Sequence, residues 1–155
     1  MIGTLIITQG GLAREFLAAA REIAGDLVQF EAVSLEWSDG LDEAKAKVAP
    51  ALARLDTGEG VLVLADTFGG TPCNVALAFH VPGHVEVVTG VNLPMVMRLA
   101  CRGSRRDTDL ATVARALQER GRQSICIASE VRARCNGATA VAGELAAGVG
   151  AGDRT

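Results

Sequence analysis

Four times along this chain a short apolar run ends in a turn that carries glycine, and each time residues at helical spacing follow. Leu5-Ile6-Ile7-Thr8 runs into Gln9-Gly10-Gly11, and the stretch from Val28 to Leu35 precedes Ser38-Asp39-Gly40. Val61-Leu62-Val63-Leu64 leads to Asp66-Thr67-Phe68-Gly69-Gly70, and the stretch from Val85 to Thr89 ends at Gly90. Connections that each contain a helix return the chain to the starting edge of a sheet, so the strands are expected to be parallel with right-handed crossovers. The implied class is α/β: a doubly wound, mostly parallel sheet with helices on both faces.

The helical segments have their own signatures. Leu12, Phe16, Ala19, Ala20 and Ile23 recur at helical spacing and Gly25 supplies a stop. Leu41, Ala44, Val48, Ala51, Leu52 and Leu55 mark a second helix, which Pro50 is expected to kink or interrupt. Thr71-Pro72 reads as N-cap and first residue of a short helix to Phe79. Met95 to Ala100 follows, and then a helix through Leu110, Val113, Ala114 and Leu117, capped by Asp107 or Thr108. A last apolar strand is expected at Ser124 to Ala128. One domain over residues 1–130 accounts for these elements. Residues 131–155 pass into alanine and glycine and read as a mobile tail, with a short docked helix around Val141 to Leu145 as the competing reading.

Composition excludes several classes. Fifteen basic against eighteen acidic residues, a net charge of −3 with no long charged block, give no footprint for nucleic acid. No apolar run is long enough to span a bilayer, and Met1-Ile2-Gly3-Thr4-Leu5 lacks a basic leader region, so a cytoplasmic protein is expected. Cys73, Cys101, Cys126 and Cys135 form no C-x-x-C pair, and His80 and His84 have no cysteine at zinc spacing. Buried reduced thiols, and neither a metal nor a cofactor, are the expectation.

Chemistry is expected where the strands end. The first and third strands each meet a glycine pair and then a helix, so Gly10, Gly11, Gly69 and Gly70 are candidate phosphate-binding positions on one edge of the sheet. Asp66 sets a carboxylate there and Thr71 a hydroxyl. Cys73 falls in the first turn of a helix, where the dipole favours a thiolate, or else packs inertly behind the pocket. Trp37 follows the second strand and either covers a partner surface or the edge of the core. His80 and His84 lie between the third helix and the fourth strand, which places them at the opposite edge.

Three segments carry a resemblance: Thr8-Gln9-Gly10-Gly11-Leu12-Ala13, Asp66-Thr67-Phe68-Gly69-Gly70-Thr71-Pro72-Cys73-Asn74, and Gly90-Val91-Asn92-Leu93-Pro94-Met95. With the α/β spacing between them they resemble the enzyme IIA domain of mannose-type sugar phosphotransferase systems over about residues 1–130. The resemblance implies a phosphoryl carrier that takes phosphate from the phosphocarrier protein HPr and passes it to a IIB domain. It also implies a homodimer that exchanges an antiparallel last strand, and peripheral association with a membrane sugar permease.

The family motif after the first strand is Thr-His-Gly, with the histidine as phosphoryl acceptor, and the matching residue here is Gln9. A glutamine amide has its nitrogen lone pair delocalised into the carbonyl and is no nucleophile at neutral pH. Asp66 matches the carboxylate that orients the imidazole, and Thr71 a hydroxyl residue near the phosphoryl group. Gln9 is expected to give its side-chain NH2 to Asp66. Two functions follow: a carrier component whose acceptor position holds glutamine, or a transfer-inactive regulatory or binding module that keeps the fold and its partner surface.

Overall fold

A computed structural model describes residues 1–101 and 109–135. Two compact units divide the chain, Met1–Arg122 and Gln123–Thr155. The expected tail, the Val141 to Leu145 helix and the caps at Asp107 and Thr108 fall wholly or largely outside the described residues.

The first unit holds strands β1 (Gly3–Gln9), β2 (Phe30–Leu35), β3 (Val61–Ala65) and β4 (Val85–Thr89). They form one sheet in the order β2-β1-β3-β4, and every pairing is parallel. Helices α1 (Leu12–Ala24), α2 (Leu41–Leu55), α3 (Thr71–Leu77), α4 (Leu93–Ala100) and α5 (Leu110–Gln123) connect or follow the strands. Because β2 lies on one side of β1 and β3 on the other, the direction of winding reverses between β1 and β3.

Two cores follow from the period of two along the central strands. Ile6, Leu62 and Leu64 face α1, α4 and α5 through Leu17, Val96, Leu99 and Leu117. Leu5, Ile7, Val61, Val63 and Ala65 face α2 and α3 through Val48, Leu52, Leu55, Val75 and Ala76. All five residues of β3 are buried, as in a strand covered on both faces.

Helix ends are closed by local polar groups. The Thr8 hydroxyl accepts the Ala13 N–H at 2.8 Å at the start of α1. Asn92 caps α4 by accepting the Met95 N–H at 3.1 Å, and its amide donates to the Gly121 carbonyl of α5 at 3.3 Å. At the start of α5, Asp109 accepts the Thr112 hydroxyl and N–H, and these bonds hold its carboxyl below the usual carboxylate range.

Several expectations are corrected. Pro50 does not interrupt α2, which runs unbroken from Leu41 to Leu55. Proline has no N–H to give the Ala46 carbonyl, and both residues are on the exposed face, where that carbonyl is open to solvent. The cap of α3 is Gly70, one residue before Thr71. Residues Ser124 to Ala128 are not a strand: a turn and an irregular stretch lead into a helix that begins at residue 128. The Ile127 carbonyl accepts the Glu130 and Val131 N–H groups, so the helix formers that follow claim the end of the apolar alternation. All four cysteines are free, and only Cys73 is buried.

Candidate functional site

The winding reversal places the carboxyl ends of β1 and β3 side by side, the position at which open α/β sheets form a crevice. Ile7 is in register with Ala65, so the next residues, Thr8 and Gln9 on one strand and Asp66 on the other, meet at the rim. Positive φ at Gly10 (62°), Gly69 (84°) and Gly90 (77°) turns the chain away directly or shortly after β1, β3 and β4.

Asp66 is fixed at several points. Its Oδ2 accepts the Gln9 backbone N–H at 2.9 Å and its Oδ1 the Thr67 N–H at 2.7 Å. Its carbonyl accepts the Gly90 N–H at 3.0 Å, which ties the Asp66 backbone to the end of β4. The carboxylate is therefore held in one orientation by backbone alone.

Gln9 behaves differently from the expectation. Its side-chain Nε2 donates to the Leu35 carbonyl of β2 at 3.2 Å, and the Gly10 N–H donates to the same oxygen at 2.8 Å. A carbonyl oxygen has two lone pairs and takes both. The amide thus turns toward β2 while the main chain meets Asp66.

A cavity of about 350 Å³ opens over this rim. Gln9, Asp66, Thr71, Gly69 and Gly70 line it, with Thr67 and Pro72. The rest of the wall comes from the loop after β2: Glu36, Trp37 and Asp39. Of these, Trp37 alone is a candidate surface residue on sequence, and Asp39 is there only part of a turn. The signal was available, since in a parallel sheet the residues after β2 emerge at the same edge as those after β1 and β3.

Lys47 holds this loop, with Nζ 2.6 Å from Asp39 Oδ2, and the Glu36 N–H donates to the same carboxylate at 2.8 Å. The hydrogen bond from Lys47, followed by that from Glu36, holds the Asp39 carboxyl below its ordinary value. Trp37 itself is 86% exposed, and Phe68, on the loop after β3, is 78% exposed.

The glycine cradle is less open than expected. Gly10 and Gly11 are not among the residues that line the cavity. The Gly10 N–H is committed to Leu35 and the Gly70 N–H to the Thr67 carbonyl at 3.3 Å, so neither is free for an anion. Cys73 packs in the core behind α3, 1% exposed. His84 gives its carbonyl to the N–H of Val61, the first residue of β3, and the His80 ring faces Glu86 at 3.7 Å; both lie toward the amino edge of the sheet. Among the described residues no helix is long and apolar enough to cross a membrane.

Comparison with known proteins agrees with this architecture. Residues 3–116 match the mannose-type EIIA family profile, described as the PTS system fructose IIA component. The mannose-specific EIIAB component of Escherichia coli K12 is 35% identical over 97 residues, which is 62% of this chain and 30% of that protein. The chain therefore spans about a third of that relative. The putative phosphotransferase enzyme IIA component YadI of the same strain is 35% identical over 104 residues, 66% of this chain and 71% of that one. Among solved structures, the mannose/sorbose specific IIA subunit from Enterococcus faecalis superposes with a TM-score of 0.70 at 33% identity, covering 82% of this chain and 95% of its own. On the sheet order, the motifs at the strand ends and these matches, the chain belongs to the mannose-type EIIA family of the sugar phosphotransferase system.

Proposed function

We propose that this chain is a IIA component that docks phosphotransferase partners at the carboxyl edge of its sheet and, with glutamine at the acceptor position, carries no phosphoryl group there. The observation that carries this reading is Gln9 itself: its amide is occupied by Leu35, and the cavity wall holds no histidine, lysine or cysteine. The wall keeps the carboxylate that would orient an imidazole, Asp66, and the hydroxyl at Thr71. Replacement of the nucleophile alone favours a module that retains its partner surface over one that has lost its role. A carrier function requires histidine at position 9.

The partners that family membership suggests are an HPr-like phosphocarrier and a IIB domain, the latter bringing the chain to a membrane sugar permease. A homodimer is proposed through the outer edge of β4, where a groove of about 290 Å³ lies between Glu86–Thr89 and the α5 residues Ala111, Ala114, Arg115 and Gln118. Beyond the Val81–Val85 bridge this edge of β4 pairs with no strand among the described residues, and such an edge beside a groove favours association.

Titration of the isotopically labelled chain with HPr tests the docking. Amide shifts are expected at Gln9, Trp37, Thr67, Phe68 and Thr71. Shifts confined to the β4 edge, or none at all, would overturn the reading.

A further inference from the structure

We propose that Glu86 latches the outer edge of β4: its carboxylate occupies the backbone N–H that a second copy of this chain needs in order to add a strand there, and association requires that side chain to swing away. This rests on the reading of the β4 edge as a homodimer contact and names what regulates it.

The edge is filled residue by residue. In a parallel pair, alternate residues turn their backbone groups to the neighbouring strand. The His84 carbonyl accepts the Val61 N–H, so Glu86 and Val88 face β3, while Val85, Val87 and Thr89 face outward. Val85 is already engaged by its own chain: its N–H donates to the Val81 carbonyl at 2.8 Å, and its carbonyl accepts the Val81 N–H at 3.3 Å. The next outward N–H is that of Val87, and Glu86 Oε1 accepts it at 3.0 Å. A strand laid along β4 therefore meets Val85 closed by backbone and Val87 closed by a side chain.

The sheet puts Glu86 in position to do this. By the period of two it shares a face with Val88, which packs against the α1, α4 and α5 side of the sheet. Its side chain lines the groove whose other wall is Ala111, Ala114, Arg115 and Gln118 of α5. His80 Nε2 stands 3.7 Å from the same Oε1, so the carboxylate lies between the turn before β4 and the strand edge. A charge at a strand edge is a common block to pairing, and glutamate is otherwise disfavoured inside strands.

The two closures differ in kind. Opening Val85 means breaking a backbone bridge, whereas opening Val87 needs only a rotation of one flexible side chain. Once Glu86 leaves, Arg115 on the facing wall offers its carboxylate a counter-charge, and the Val87 N–H is free to donate to a carbonyl of the second copy.

Sedimentation across a concentration series, on the full chain and its Glu86→Ala and Glu86→Gln variants, tests the latch, together with amide exchange at Val87 in dilute solution. Glu86→Ala removes the acceptor and is expected to speed Val87 exchange and to tighten the dimer, each at least about fivefold. Glu86→Gln keeps an acceptor oxygen on a side chain of the same length and is expected to tighten it no more than about twofold. Equal tightening by both variants would assign the effect to repulsion between the charges of two copies and would overturn the latch. Unchanged Val87 exchange, or unchanged dimer affinity in Glu86→Ala, would overturn it and leave the homodimer standing. A monomer in all three proteins up to about 1 mM would overturn the homodimer reading and the latch together.

Discussion

Gln9 reaches Asp66 through its backbone: the main-chain N–H donates to Oδ2 at 2.9 Å, while the side-chain amide donates to Leu35 at 3.2 Å. The carboxylate is thereby positioned without any help from the Gln9 side chain. Asp66→Ala removes the acceptor from both the Gln9 and Thr67 N–H groups. It is expected to cost about 1–3 kcal/mol, with Asp66→Asn, which keeps one acceptor oxygen, costing less. Urea denaturation of the two variants checks the order.

Gly3 and Gly121 both sit against a neighbour, yet their replacement differs in consequence. A Cβ at Gly3 would lie 2.6 Å from the Leu55 carbonyl oxygen, which belongs to the helix backbone, whereas at Gly121 it would meet Met95 Sδ at 2.7 Å. A methionine side chain can move aside and a helix carbonyl cannot. Gly3→Ala is expected to destabilise by about 2–4 kcal/mol and Gly121→Ala by less than about 1.5 kcal/mol. Thermal unfolding of the pair distinguishes them.

Asn92 joins two helices, capping α4 at Met95 and donating to Gly121 of α5. Asn92→Ala loses both contacts, with an expected cost of about 1–2 kcal/mol. Amide exchange is expected to rise first at Met95, whose N–H loses the side-chain acceptor and keeps only the carbonyl of residue 92, at 3.1 Å.

Acid should loosen the loop that carries Trp37. The folded-state pKa of Asp39 is lowered from 3.8, chiefly by its hydrogen bond from Lys47. A depressed carboxylate contributes its stability above the unfolded-state value and loses it as pH falls through the folded one. The Trp37 emission is therefore expected to stay constant down to about pH 4 and change below it. In Lys47→Met the change is expected to move to higher pH.

Much of this was legible in the residues. The unbroken apolar runs of β1 and β3 marked central strands, and Gly10, Gly69 and Gly90 marked the turns, because only a residue without Cβ takes their φ at no cost. The pairing of Gln9 with Asp66 was implied by the family resemblance, and the strand order β2-β1-β3-β4, which periodicity does not give, is what brings the two strand ends side by side. What escaped was set by contacts between segments distant in sequence. Glu36 and Asp39 join the cavity only through the placement of β2, and the Gln9 amide turns to Leu35, twenty-six residues away. Pro50 and the stretch from Ser124 to Ala128 depart from their patterns for a local reason. In each case the pattern fitted, and solvent access in the first and a following helix in the second decided the outcome.

Phosphoryl uptake tests the central claim, that the site is assembled but lacks its acceptor. The unmodified chain and Gln9→His are incubated side by side with phosphoenolpyruvate, enzyme I and HPr, and bound phosphate is followed through acid and base treatment. The unmodified chain is expected to take up none, and Gln9→His to gain an acid-labile, base-stable group on its new imidazole. Phosphate on Thr71, Cys73, His80 or His84 of the unmodified chain would contradict the account, as would a Gln9→His variant that binds HPr and stays unphosphorylated.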